Sequence, residues 1–242
     1  MNPLKARELT YIYGKSSSIR DNVAANGENT MTKSDISRRG IIGSIIAAVT
    51  SIGFVKAADS KPVTPPHTEG PFYPIVPQDE KDADLTMVNG RPAGAIGQIV
   101  IVEGQILDPT GAPIPNAVVD VWQANAAGRY AHEADPNTAP LDPNFQGWAI
   151  MKTDKEGRYR FKTVKPGAYP VTSDWTRPPH IHFKVSRRGF REITTQMYFD
   201  GERLNDIDHL LNELPADMQP TLIAQQKTAE APFVFDVILA KI

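Results

Sequence analysis

Short apolar runs, each closed by turn residues, follow one another between residues 98 and 184. Ile99–Leu107 is β-branched and aliphatic, and the turn sequence Asp-Pro-Thr-Gly follows it. In Arg158–Val164, apolar and hydroxyl side chains alternate with cations, as expected of a strand with one buried face. Further strands are predicted at 117–123, 181–185, 194–199 and 232–239. The pattern predicts an all-β domain, specifically an antiparallel β-sandwich.

Two stretches depart from this pattern. Between 202 and 227 apolar residues recur at roughly helical spacing, which predicts one or two short helices whose apolar stripe contacts the core. The stripe consists of Leu204, Ile207, Leu210, Leu211 and Leu214. Residues 125–147 show no periodicity, and a connection of that length in a compact domain is typically functional or disordered. Its Ala-Pro-Leu-Asp-Pro-Asn-Phe run favours a functional loop.

The first 57 residues have the pattern of an export signal. Arg38 and Arg39 precede an apolar run at 40–55, which is shorter than the about 20 residues of a membrane span. This predicts a twin-arginine leader that is cleaved after Ala57, with an uncleaved N-terminal anchor as the alternative. Met31, just upstream of the arginine pair, is an alternative start to Met1.

The predicted organisation is therefore a leader at 1–57 and one domain at 58–242. The leader implies the twin-arginine export machinery as a partner and a periplasmic or extracellular location, with membrane contact only if the leader is retained. Of the 242 residues, 40% are hydrophobic and 22% are charged, which fits one globular domain.

Charge and cysteine content narrow the chemistry. Removing residues 1–57 reduces Lys and Arg from 26 to 18 and Asp and Glu from 28 to 24, so the net charge becomes −6. Such a surface does not suit nucleic acid or anionic lipid. Because the chain has no cysteine, a metal ion would need His, Tyr, Asp or Glu as ligands.

The sequence His180-Ile181-His182 provides two such ligands. Successive residues of a strand point to opposite faces, so both imidazoles project from one face and can reach the same ion. Paired histidines also occur on solvated strands, so the pair by itself leaves metal binding open.

Four motifs resemble those of the intradiol ring-cleavage dioxygenases, the family of protocatechuate 3,4-dioxygenase and the catechol dioxygenases. They are TEGPFYP at 68–74, VWQAN with GRY at 121–130, KPGAYP at 165–170 and RPPHIHF at 177–183. The motifs occur in family order, and the similarity covers residues 65–240. The resemblance implies an enzyme of aromatic catabolism that cleaves a catechol, such as protocatechuate, between its hydroxyl-bearing carbons. Both atoms of O2 enter the product, a muconate-type diacid.

The resemblance implies one non-haem iron(III) per chain, bound by Tyr130, Tyr169, His180 and His182. Tyr169 and His182 would be the axial ligands, and Tyr130 and His180 the equatorial ones. This ligand set is chemically coherent, because phenolate oxygen is a hard anion that suits iron(III). Taken one at a time, each tyrosine is more typical of an edge or turn aromatic.

The resemblance also assigns three catalytic residues. Arg177 would stabilise negative charge on the opening ring, a role that suits a permanently charged, directional guanidinium. Tyr169 would be displaced by the substrate and would accept one of its protons. Gln196 matches a glutamine beside the iron.

Gly70, Pro71, Phe72 and Tyr73 resemble a segment that borders the substrate pocket. In protocatechuate-type enzymes this segment and the iron site lie on different kinds of subunit, whereas one chain carries both here. Two arrangements are open: a homo-oligomer with shared pockets, or a segment that folds back on its own domain.

The chain also departs from the family pattern. Val171 stands where the protocatechuate enzymes' iron-bearing chain has tryptophan, and the stretch between Tyr169 and His180 is shorter, so the catechol substituent is open. No helical linker domain of the catechol 1,2-dioxygenase type precedes the motifs, which favours the protocatechuate branch. The other histidines match no ligand position and are expected at the surface: His67, His132 and His209.

A second hypothesis is an exported, noncatalytic β-sandwich binding module, because this fold serves many unrelated functions. It requires the four ligand residues to be scattered rather than convergent.

Overall fold

The computed structural model describes residues 60–242, so the predicted leader lies outside the described residues. This part contains eleven strands and one short α-helix. The strands are β1 (Ile99–Leu107), β2 (Val118–Trp122), β3 (Trp148–Lys152), β4 (Arg158–Val164), β5 (Tyr169–Pro170), β6 (Thr176–Arg177), β7 (His180–Ser186), β8 (Ile193–Phe199), β9 (Ile223–Gln226), β10 (Phe233–Val234) and β11 (Val237–Ile238). Helix α1 is His209–Asn212, and 3-10 turns span Arg203–Ile207 and Gln219–Leu222. The prediction of an all-β domain is confirmed.

Nine strands form one sheet in the order β11, β1, β10, β9, β8, β7, β2 and β3, with β4 on β1; β5 and β6 form a separate hairpin. The sheet curves so that its two halves face each other across one core. Phe183 of β7 lies 5.8 Å from Tyr159 of β4 and 5.1 Å from Phe235 near the C-terminus, measured between ring centroids.

The prediction of a purely antiparallel sheet is wrong. β1 pairs in parallel with β10 and β11, and β8 pairs in parallel with β9. The apolar stretch predicted as a single strand at 232–239 is two short strands. Between them, the Phe235 amide donates to the Glu103 carbonyl and Asp236 accepts from the Gln105 amide. This stretch runs in the same direction as β1 and closes the sheet, an arrangement that local alternation does not specify.

The other strand predictions vary in accuracy. β1 and β4 have their predicted bounds, while β2, β7 and β8 differ slightly at their ends. Strand β3 was missed, because its burial does not alternate: Trp148 and Ala149 are both buried. The loop at 125–147 is irregular, as predicted.

The region 202–227 is less helical than its spacing predicts. Only α1 is α-helical in this region, and the last part of the region forms strand β9. Leu210 and Leu211 are buried, but Ile207 is 62% exposed, so the expected core stripe is wrong at that position. Pro215 and Pro220 interrupt the segment and remove backbone donors that a longer helix needs. No helix within residues 60–242 has the length and apolar character required to cross a bilayer.

Strand β7 has one face in the hydrophobic core and the other on the opposite side of the sheet. Ile181, Phe183 and Val185 are fully buried in the main hydrophobic cluster. His180 and His182 alternate with them and lie on the other face, also buried. The strand therefore carries its apolar residues into the core and presents both imidazoles on the opposite side.

In β1, Gly104 lies so close to another backbone segment that a larger residue there should destabilise the fold. A Cβ atom at Gly104 would collide with the Phe235 carbonyl, which also accepts a hydrogen bond from the Tyr159 hydroxyl at 2.5 Å. Gly104→Ala should therefore lower the free energy of unfolding by about 1–3 kcal/mol, measured by urea denaturation. Gly147→Ala is the control, because its nearest contact would be an ordinary 3.5 Å; a loss of equal size there would contradict the prediction.

Candidate metal centre

The structure brings all four predicted ligand residues together. The Oη atom of Tyr130 lies 3.1 Å from Nε2 of His182 and 3.4 Å from Nε2 of His180. The Tyr169 ring lies 5.7 Å from both the Tyr130 and the His180 rings. All four side chains are buried. They converge from a long loop, a short hairpin and one strand.

The donor atoms fit a metal ion. With bonds of about 2.0–2.1 Å and ligand angles of about 90–110°, neighbouring donor atoms on one ion lie about 2.8–3.4 Å apart. The two measured separations fall in that range. Among the described residues no cluster of three or more His, Cys, Asp or Glu occurs. An ion at this centre would therefore need tyrosine oxygen, a hard ligand suited to iron(III).

Both histidines are prepared to act as ligands. Burial is the main cause that lowers the pKa of His180 and His182 well below the usual value, and the nearby charge of Arg177 acts in the same direction. A neutral imidazole keeps a lone pair for a metal. His180 is further oriented by its Nδ1 atom, which lies 2.7 Å from the Pro178 carbonyl oxygen, so Nε2 points towards Tyr130.

The loop that carries Tyr130 is folded by side-chain hydrogen bonds. Asn125 Oδ1 accepts from the amides of Ala127 and Arg129, and Asp135 accepts from the Tyr130 amide at 2.7 Å. Gly128 has a φ of 77°, and a Cβ atom there would collide with the Ala168 carbonyl, next to Tyr169. The two tyrosines can therefore approach each other because glycine occupies the contact between their backbones.

Arg177 lies opposite Tyr169 in the β5–β6 hairpin and is completely buried. Its Nε donates to Asp208 at 2.9 Å, and its Nη2 donates to Gln196 Oε1 at 2.7 Å and to the Tyr198 hydroxyl at 2.9 Å. Arg177 and Gln196 are thus joined directly, and the cation is held beside the candidate metal centre.

Asp208 is, with Tyr198, one of the residues of this network that sequence reasoning missed. It accepts hydrogen bonds from Arg177, from the Tyr198 hydroxyl at 3.1 Å and from the Trp175 indole at 3.2 Å. It also caps α1 through the Leu211 amide. An Asp before a helical segment is a recognisable N-cap signal, but nothing local indicates that it pairs with an arginine 31 residues earlier.

The segment 70–73 folds against the metal-centre residues of its own chain, the second of the two arrangements left open. Phe72 packs 4.8 Å from Tyr130 and 6.4 Å from Tyr169, measured between ring centroids. Tyr73 donates to Asp120 at 2.8 Å, which fixes the segment to β2. Gln196 Nε2 donates to the Thr68 carbonyl at 2.8 Å, so one glutamine contacts both the chain just before this segment and Arg177.

The remaining histidines differ from one another. His209 is exposed, as expected, and stacks on Trp175. The expectation of a surface position is wrong for His67, whose Nε2 lies 3.0 Å from the Leu210 carbonyl oxygen and whose pKa is lowered by burial to about 4. His132 is half-buried near Phe72 and lines a cavity of about 140 Å³. Phe72, Trp122 and Tyr130 also line this cavity, whose size suits a single aromatic ring.

Fold and site together define an all-β protein with a buried tyrosine–histidine centre. Comparisons with known proteins identify its family. Residues 68–239 match the family model described as Dioxygenase. The chain is 40% identical over 200 residues to the protocatechuate 3,4-dioxygenase beta chain of Burkholderia cepacia, covering 70% of this chain and 83% of that protein. The chain therefore belongs to the intradiol ring-cleavage dioxygenases, a family of oxidoreductases that use non-haem iron.

Three further relatives share less sequence identity with the chain. Catechol 1,2-dioxygenase 2 of Acinetobacter lwoffii is 33% identical over 152 residues, covering 57% of this chain and 52% of that protein. The dioxygenase domain of a dioxygenase and carbohydrate-binding fusion protein from Streptomyces sp. SirexAA-E superposes with a TM-score of 0.56 at 26% identity, covering 75% of this chain and 100% of that domain. Catechol 1,2-dioxygenase of Pseudomonas arvilla C-1 gives 0.54 at 26% identity, covering 74% and 62%.

The buried Arg177–Asp208 pair predicts a large stability effect. Asp208→Ala leaves a buried guanidinium without its countercharge and removes a helix cap, so the free energy of unfolding should fall by about 3–5 kcal/mol in urea denaturation at pH 7. The control is Glu202→Gln, which breaks a partly exposed ion pair with Lys165 and should cost at most about 1 kcal/mol. Equal losses in both variants would contradict the prediction.

Proposed function

We propose that this chain is an iron(III) intradiol dioxygenase that cleaves a catechol between its two hydroxyl-bearing carbons with O2. The observation that carries the proposal is the convergence of His180 Nε2, His182 Nε2 and Tyr130 Oη, with Tyr169 beside them. We propose one iron(III) per chain, held by these four residues. A scattered arrangement, which the binding-module hypothesis requires, is not what the described residues form.

When bound, iron(III) supplies a Lewis acid that favours the deprotonated form of the catechol hydroxyls. The chain's own residues would supply the proton acceptor, the positive charge and the shielding from water. Tyr169, in the phenolate form that iron ligation would favour, would accept a proton on its Oη from one catechol hydroxyl. Arg177, fixed by Asp208 and Gln196, places a permanent positive charge where the opening ring becomes negative. Phe72 packs on both tyrosines and shields the centre from water.

The substrate is proposed as protocatechuate or a related catechol. Val171 packs both against the cluster that contains Tyr169 and Phe72 and against Trp175, so a small aliphatic side chain borders this part of the centre. Gly70, Pro71, Phe72 and Tyr73 are proposed to border the substrate. O2 uptake measured with catechol, protocatechuate and hydroxyquinol would rank the ring substituents.

Iron loading tests the function directly. The purified domain loaded with iron(III) should show a red-brown tyrosinate charge-transfer colour and should consume O2 when a catechol is added. Tyr130→Phe and His180→Ala should each lose colour and O2 uptake, because each removes a proposed iron ligand. Colourless, iron-free wild-type protein after loading would refute the proposal.

Two controls separate ligand loss from general damage. Tyr159→Phe removes a buried tyrosine hydroxyl away from the centre, and His209→Ala removes an exposed imidazole. Both should retain colour and O2 uptake. Loss of both signals in these controls as well would assign the effect to folding rather than to the ligands.

We also propose that the chain is exported by the twin-arginine route to the periplasm or beyond, with residues 1–57 as the leader. Replacing Arg38 and Arg39 with lysine should leave the protein in the cytoplasm of a bacterial host, as shown by fractionation. N-terminal sequencing of the exported wild type should begin at residue 58, and export of the double variant at the wild-type level would contradict the route.

A homo-oligomer is compatible with the proposed dioxygenase function, although segment 70–73 already reaches the candidate metal centre of its own chain.

A further inference from the structure

The two histidines of the centre are oriented by different means. His180 has the usual arrangement of a metal ligand, with its second ring nitrogen near a backbone carbonyl oxygen. His182 lacks this support: its Nδ1 atom is buried and has no hydrogen-bond partner among residues 60–242. Some other contact must fix the orientation of its ring.

Trp122 makes that contact. Its indole lies parallel to the His182 imidazole, with the ring centroids 4.8 Å apart and an angle of 9° between the planes. Strand register sets this geometry, because Trp122 on β2 is the direct neighbour of His182 on β7. Side chains of directly paired residues in adjacent strands lie on the same face, close enough for their rings to interact.

Trp122 is itself held firmly. The side chain is 1% exposed, and the Tyr73 ring packs edge-on against it at 4.9 Å. Tyr73 is in turn fixed by its hydrogen bond to Asp120. The indole is therefore a rigid surface, and rotation of the imidazole about its Cβ–Cγ bond would break the stacking contact.

The contact also has an electronic consequence. An imidazole that donates its lone pair to a cation becomes electron-poor, and an electron-poor group is attracted to the negative face of an indole. The stack should thus strengthen when His182 binds metal. Because the Trp122 Nε1 atom is buried without a hydrogen-bond partner among the described residues, this contribution comes from the ring face and not from a hydrogen bond.

We propose that Trp122 is a positioning residue for His182, in which aromatic stacking replaces the hydrogen bond that normally orients a metal-bound histidine. The role rests on the proposed function, since it presumes that the centre binds iron. It predicts that removal of the indole weakens metal retention while the ligand residues themselves are intact.

The test compares two tryptophans in one cross-strand row. Trp148 pairs directly with Trp122 on the other side and is also buried, but its ring lies beside Tyr73 rather than His182. Replacing each with Phe and with Leu removes comparable ring volume at two adjacent positions. Only the substitutions at Trp122 should affect the metal.

In competition with a chelator, Trp122→Leu should bind iron about 10–100 times more weakly than wild type, the range for loss of a group that orients a ligand. Trp122→Phe keeps a flat ring, so its iron retention should lie between those of wild type and Trp122→Leu. Its charge-transfer band should shift less than that of Trp122→Leu. Both Trp148 variants should retain iron like wild type. Equal iron loss at the two positions would overturn the proposal, because it would show a general packing effect.

A metal-free measurement separates this inference from the proposed function. In the iron-free protein, NMR signals of the His182 ring protons should carry the upfield ring-current shift of the indole, and Trp122→Leu should abolish it while Trp148→Leu does not. An unshifted wild-type signal would overturn the stack. Wild-type protein that binds no iron would refute the proposed function and the metal role together, whereas firm binding with unchanged retention in Trp122→Leu would refute this inference alone.

Discussion

The site depends on the register of one strand. In β7, Ile181 and Phe183 are buried in the core, and this leaves His180 and His182 on the opposite face. A slip by one residue would exchange the two sets, placing imidazoles in the core and apolar side chains at the metal centre. The free energy of burying the apolar set therefore also specifies the position of the candidate ligands. The same register places Trp122 beside His182.

A buried charge is the second constraint. Arg177 brings a permanent cation next to two histidines that burial already keeps neutral, and Asp208 and Gln196 accept hydrogen bonds from it. Such a pair contributes little net stability, because desolvation offsets its attraction. Its value is positional: the guanidinium cannot move without breaking several hydrogen bonds. The centre is thus organised before any substrate arrives.

Local sequence signals predicted the structure best. β1 and β4 have their predicted bounds because alternation and turn residues act within a few positions. Features that join distant segments were not predicted. The parallel closure beside β1, the missed strand β3 and the role of Asp208 each depend on a neighbour far along the chain. The helical spacing at 202–227 did not produce a long helix, because prolines interrupt the segment and β9 pairs with β8.

The sequence by itself determined the all-β class, the family through its four motifs and the identities of the candidate ligands, because these are properties of residue type and short spacing. Only the tertiary structure decided that Tyr130 reaches His182, that segment 70–73 lies against its own chain's tyrosines, and that an indole stacks on an imidazole. These contacts join residues more than 50 positions apart. Their geometry follows from core packing and sheet closure, which depend on the whole chain rather than on any local pattern.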